Sequence, residues 1–205
     1  MDYNLNRGER RLVKLEGEGN KMLSYRIEVE DDPMNPRIGW DNFGTMLCFH
    51  KRYTLGDETE LKANSFNDWE EVSRYLRDTL KAIIILPLYL IDHSGISISV
   101  GSFNDSWDSG QVGFIYITRD KMLEEFEWKN LTAKRREQIV LLLEGEVETY
   151  NSYLTGMVYG FVIEDNDGEV IDSCWGFYEE SDCKSEAQKS MEFYEERREA
   201  HYDPK

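Results

Sequence analysis

The chain has 205 residues, with 24 Lys plus Arg against 41 Asp plus Glu and a formal net charge of −17. With 40% apolar, 13% aromatic and 32% charged residues, it is too hydrophobic for a disordered acidic tail and too charged for a membrane protein. Affinity for nucleic acid comes largely from Lys and Arg releasing counterions, so a broad phosphate-backbone binder is excluded as well.

Residues 1–20 mix Arg and Glu without an apolar run, which is not a secretory or transit-peptide pattern, so a cytoplasmic protein is expected. Residues 1–21, with five basic and four acidic side chains, read as a flexible arm or a peripheral strand. The remainder, 22–205, is expected to form a single compact domain, because no Pro- or Gly-rich linker divides it. Residues 23–29 and 43–49 show strand-like placement of apolar residues on either side of a turn-rich stretch. From Asn67, read as an N-cap with Glu70 three residues on, Trp69, Val72, Leu76 and Leu80 follow helical spacing. Residues 83–91 read as a buried strand in which Pro87 demands an edge or bulge position, pairing with residues 96–100 across the turn Asp92-His93-Ser94-Gly95.

A further strand is expected over 112–117 and a short helix from Thr118. The longest helix should begin at Thr132 and end before Gly156, with Ile139, Leu142, Leu143, Val147, Tyr150 and Leu154 as its apolar stripe and Glu144 and Glu148 opposite. Residues 157–163 and 170–177 flank Asn166-Asp167-Gly168, the strongest hairpin signal in the chain. A last helix over about 181–200 places Ala187, Met191 and Tyr194 on one side. The order predicts an α+β fold, a mostly antiparallel sheet with three to four helices packed on one face. The apolar run 82–91 is interrupted by Pro87 and is about half the roughly 20 residues of a membrane-spanning helix, so no membrane segment is expected. Cys48, Cys174 and Cys183 are odd in number, widely spaced and without a C-x-x-C pair, which suits reduced thiols.

Several chemical motifs give way to plainer readings. Asp92, His93 and Ser94 are adjacent in a tight turn and diverge, whereas a hydrolytic triad converges from separate parts of a fold. Cys174, in a strand beside Trp175, reads as a buried structural thiol rather than a nucleophile. Gly44, Gly56, Gly101 and Gly110 are too dispersed for a phosphate loop, and no cofactor is expected. Asp92, His93, Asp105 and Asp108 on neighbouring loops could hold a hard cation, which keeps a metal-dependent nucleic-acid-processing enzyme as an alternative. Trp107, in the same loop, is either a plug for the loop or an exposed contact.

The acidity is localised. Between Glu137 and Cys183 there is no Lys or Arg, while twelve Asp and Glu fall in those 47 residues. The plain reading is a solvated face that keeps the protein soluble. The functional one is a rigid array of carboxylates that imitates the phosphates of a duplex and enters a positively charged nucleic-acid channel. Its candidate contact residues are Glu144, Glu148, Glu164, Asp165, Asp167, Glu169, Asp172, Glu179 and Glu180, interleaved with Tyr and Trp.

Four ordered blocks, PLYLIDHSG at 87–95, WDSGQVGFIY at 107–116, GEVETYN with LTG over 145–156 and IDSCWGF at 171–177, resemble a family of acidic proteins encoded by bacteriophages and mobile elements. The resemblance implies a role in countering host defence in a bacterial cytoplasm. The implied partner is a restriction enzyme or CRISPR effector, bound through its basic surface. It brings no catalytic motif, and no catalytic residue is assigned from it.

Overall fold

The computed structural model of the protein describes residues 11–13, 23–104 and 107–201. In chain order the elements are β1 (Arg11–Val13), β2 (Leu23–Val29), β3 (Thr45–Cys48), α1 (Trp69–Asp78), β4 (Ala82–Asp92), β5 (Ile96–Ser99), β6 (Ser109–Thr118), α2 (Arg119–Phe126), α3 (Ala133–Leu154), β7 (Tyr159–Asp165), β8 (Val170–Phe177) and α4 (Glu180–His201). The fold is α+β with antiparallel pairing throughout the described sheets, as the sequence predicts. Instead of one sheet there are two four-stranded ones, ordered β1-β2-β7-β8 and β3-β6-β4-β5. The contacts group accordingly into two compact units, a discontinuous unit of Met1–Met34 with Gly156–Lys205 and a central unit of Asn35–Thr155, where the sequence reading drew one domain over 22–205. Of the expected arm, Arg11–Val13 is a peripheral strand paired with β2, and the rest lies outside the described residues.

In the discontinuous unit, β2 alternates strictly, so Leu23, Tyr25 and Ile27 turn to one side. They pack with Tyr159, Phe161 and Ile163 of β7 against Cys183, Ala187 and Met191 of α4. The β7–β8 hairpin closes through the expected Asn-Asp-Gly turn, with Gly168 at φ +81 and its N–H donating to the Asp165 carbonyl at 3.0 Å. β8 is an edge strand and does not bury an alternating face. Val170, Ile171 and Trp175 are exposed, and so is Cys174, which corrects the expectation of a buried thiol there; the buried cysteine is Cys183. Bulges account for this, because register shifts between Tyr159 and Gly160 and between Ile163 and Glu164 let β8 twist away from a clean in-out pattern.

In the central unit, β6 is apolar at consecutive positions because both its faces are covered. Ile115 and Ile117 pack with Ile139, Leu143, Val147 and Tyr150 of α3, while Phe114 and Tyr116 pack with Val72 and Leu76 of α1. Helices therefore lie on both faces of this sheet, not on one. Pro87 is accommodated as expected: β5 pairs only with Tyr89–Asp92 of β4, leaving Pro87 at a local edge beside a register shift at Leu88/Tyr89. The α1 cap sits one residue later than the sequence suggests. The Asp68 carboxylate accepts from Glu71 N at 2.8 Å, and Glu71 reaches back to the Asn67 N–H at 2.8 Å. Thr132 caps α3 as read from the sequence, and Thr118, expected to begin the short helix, is the N-cap of α2. Leu142 does not belong to the α3 stripe; it is exposed along with Leu141.

Candidate functional site

The proposed contact carboxylates divide between the two units. Glu144 and Glu148 lie on α3 of the central unit, and the other seven belong to the discontinuous unit. Those seven are not equivalent. Asp165 is only 5% exposed, and its Oδ1 accepts the N–H groups of Asp167 and Glu169 at 2.9 Å each, so it holds the hairpin turn together from inside. Glu164 forms an ion pair with Arg26, which also pairs with Glu28. These partners raise the Arg26 guanidinium above its ordinary value, Glu164 first and Glu28 second. Asp172 accepts from Ser190 Oγ on α4 at 2.7 Å and from Ser173 N at 2.9 Å, which ties the edge strand to the helix. Glu180 pairs with Lys184 at 2.7 Å on the exposed first turn of α4. Asp167, Glu169, Glu179 and Glu180 all face solvent.

These exposed carboxylates sit at both ends of β8, whose own outer residues include Trp175. Trp175 lies across Gly160, where a Cβ would come within 2.1 Å of the indole ring. Gly160 is thus the seat that lets the tryptophan lie flat on β7, and 42% of Trp175 is still exposed. Glu30 accepts from Gly176 N at 2.9 Å, and Gly176 adopts φ +88 in the bulge that follows Trp175. The result is an edge that carries carboxylates, an indole and aliphatic side chains on a hairpin fixed by its own hydrogen bonds.

The alternative cluster is partly brought together. His93 Nδ1 lies 2.9 Å from Asp108 Oδ2, the Asp92 N–H donates to the Asp108 carbonyl at 2.9 Å, and Arg52 pairs with Asp92. Asp105 lies outside the described residues. Among the described residues no three His, Cys, Asp or Glu side chains are grouped so as to hold a metal ion. Trp107 is 94% exposed, which settles it as a surface residue rather than a plug.

Two features of the central unit escape a reading of the sequence. The first is a buried ionic network. Arg37 has 1% of its side chain exposed and meets Asp57 in a two-point fork, Nε to Oδ1 and Nη2 to Oδ2 at 2.7 Å each, while Nη1 meets Glu146 Oε2 at 2.9 Å and Nη2 also donates to the Gly44 carbonyl at 2.7 Å. Asp57 accepts from Met46 N at 2.8 Å, and Glu146 accepts from Phe43 N at 2.5 Å. Burial alone would lower the Arg37 pKa, but the hydrogen bonds it donates to Asp57 and Glu146, with their negative charge, outweigh it and the guanidinium is held above its ordinary value. Gly44 and Gly56, scattered in sequence, frame this network. A Cβ on Gly44 would lie 2.4 Å from Leu143, and one on Gly56, at φ +70, would lie 2.4 Å from the Met46 carbonyl.

The second is a cleft of about 1260 Å³ that opens above the network, between residues 48–59 and the start of α1. Its wall is aromatic: Phe49 stacks on Trp69 with centroids 6.1 Å apart and planes at 15°, and Phe66 lies 6.2 Å from Phe49. At the rim His50 stacks on Tyr53 at 5.1 Å and 7°. His50 Nδ1 accepts the N–H groups of Arg52 and Tyr53 at 3.3 and 3.2 Å, which fixes the ring. Cys48 also lines the cleft, but burial, aided by Asp57, pushes its thiol up to about 12, so it stays protonated at neutral pH and is no nucleophile. The sequence signal was available in His50-Lys51-Arg52-Tyr53, a cationic and aromatic run in an acidic chain.

No protein-family model, curated protein or solved structure matches the chain. No helix among the described residues is long and apolar enough to cross a membrane.

Proposed function

We propose that the chain is an anti-defence protein of the kind bacteriophages and mobile elements encode, acting by binding and not by turnover. Its acidic surface on the β7–β8 hairpin and the start of α4 occupies the nucleic-acid channel of a host CRISPR effector or restriction enzyme. One observation carries this reading: Asp167, Glu169, Glu179 and Glu180 are exposed on elements that other hydrogen bonds hold rigid, around an edge strand that also exposes Trp175. A carboxylate array held in place loses little conformational freedom on binding, and an indole at its centre supplies the kind of side chain that dominates interfaces. Asp165, turned inward, acts here as a brace for the array and not as a contact. Glu144 and Glu148 belong to the proposed contact set only if α3 reaches the same partner.

The reading is tested by competition. A CRISPR effector ribonucleoprotein or a restriction enzyme is loaded with labelled duplex DNA and titrated with the protein. Displacement that saturates at a fixed stoichiometry, with the DNA left intact, is the expected result. Cleavage of the DNA by the protein itself, or inhibition at catalytic amounts, contradicts it.

A further inference from the structure

The cleft of the central unit departs from the electrostatics of the chain. Lys51 and Lys62 both line it and both are exposed, and among the described residues neither has a carboxylate within ion-pairing distance. Of the other charged groups in the lining, Arg37 pairs with Asp57, and Glu58 and Asp68 lie outside ion-pairing distance of either lysine, so the lining is balanced in charge within a −17 chain. Two unpartnered ammonium groups at the mouth of an aromatic cleft are an arrangement that attracts an anion bearing a flat ring. The start of α1 is a poor alternative seat for that anion, because the Asp68 carboxylate caps it through the Glu71 N–H and Glu70 and Glu71 add negative charge in its first turn.

We propose that this cleft binds a nucleoside phosphate, with the base stacked at the Tyr53–His50 rim and the phosphate held between Lys51 and Lys62. The volume of about 1260 Å³ exceeds what a simple aromatic acid would fill and accommodates a base, a sugar and phosphates together. Tyr53 is 37% exposed, is stacked from below by His50, and lies 5.4 Å from the Arg52 guanidinium, so its ring is held in place by neighbours on the protein side. Thr54 and Asn67, also in the lining, supply uncharged groups suited to the edge of a base. The site lies wholly within the central unit and involves none of the carboxylates of the acidic surface.

The test is calorimetric titration of the full chain with ADP, and in parallel with adenosine, inorganic phosphate and a thymidine tetranucleotide. ADP is expected to bind saturably, with adenosine and phosphate each at least about tenfold weaker because each keeps half of the recognition. Lys51→Gln with Lys62→Gln, and separately Tyr53→Ala, should each weaken ADP at least about tenfold while leaving the circular dichroism and melting temperature in place. All three residues are exposed, so these variants fold. Tighter binding of the tetranucleotide than of ADP, with the same sensitivity to the variants, assigns the end of a strand as the natural source of the nucleoside phosphate. Absence of saturable binding to both ADP and the tetranucleotide, or binding that ignores all three substitutions, overturns the proposal.

Discussion

The discontinuous unit holds 22 acidic and 11 basic side chains in 84 residues, whereas the central unit holds 19 and 13 in 121. The units also place that charge differently. In the central unit the buried Arg37 is held by two carboxylates, Asp57 and Glu146, beside a cleft whose exposed Lys51 and Lys62 have no ion-pair partner among the described residues. In the discontinuous unit the inward carboxylates serve as hydrogen-bond acceptors for the hairpin, and the surplus faces outward beside β8. Net charge alone cannot distinguish these uses. Burial and partners do, and they separate carboxylates that build the fold from carboxylates that face outward.

The comparison breaks most visibly at Arg37. Arg37→Ala removes the buried guanidinium and leaves Asp57 and Glu146, 23% and 19% exposed, as neighbouring like charges without their cation, and should cost about 3 kcal/mol in urea unfolding. A loss below about 1 kcal/mol would place the network in contact with solvent and erase the contrast between the units. Next in size are Asp165→Ala and Gly160→Ala, which probe the hairpin. The first removes an acceptor from two N–H groups and should cost about 1–3 kcal/mol, and the second drives a Cβ into the Trp175 ring at a similar cost of about 1–3 kcal/mol. By contrast Glu169→Lys and Glu179→Lys should each change stability by less than about 0.5 kcal/mol, since both side chains are exposed. If Asp165→Ala proved as silent as Glu169→Lys, the division into bracing and contact carboxylates would fail.

Thiol chemistry sharpens the same division at smaller scale. A maleimide at neutral pH should modify exposed Cys174 first, half-buried Cys48 in the cleft wall more slowly, and spare buried Cys183, as a mass spectrum of the digested protein would show. Burial pushes the Cys48 and Cys183 thiols up to about 12 from an ordinary 9.0. Since the folded state favours the neutral thiol, that stabilisation is complete below the unfolded value near 9.0 and is lost as pH rises from there toward 12. Stability measured across this window should fall, and replacing both residues with Ala should flatten that slope.

Local signals in the sequence were strong where local physics decides. Thr118 and Thr132 cap their helices, Asn166-Asp167-Gly168 turns the hairpin, and the i, i+3 and i+4 pattern from Ile139 to Tyr150 names the buried stripe of α3. The split into two sheets was not legible, because β2 pairs with β7 from the far end of the chain and no local feature records that return. Leu142 misled for a related reason: an apolar residue on a helix declares its burial only once its neighbours are known. Among the acidic residues the sequence gives position but not partner, so Asp165 and Glu169, four residues apart, read alike although one is buried and the other exposed. The cleft was hidden because most of its lining falls within residues 48–72, a largely irregular stretch whose aromatic spacing follows no helix or strand period before α1.

The central claim, that the outward carboxylates of the discontinuous unit dock into a basic nucleic-acid channel, is tested most directly by the salt dependence of association. The rate of binding to the effector or restriction enzyme is measured by surface plasmon resonance for the native chain and for Asp167→Lys/Glu169→Lys/Glu179→Lys. The account predicts that the native association rate falls by about 10- to 1000-fold from low to high salt, and that the triple variant, with unchanged melting temperature, no longer binds. An association rate indifferent to salt, or a triple variant that binds like the native chain, would contradict it.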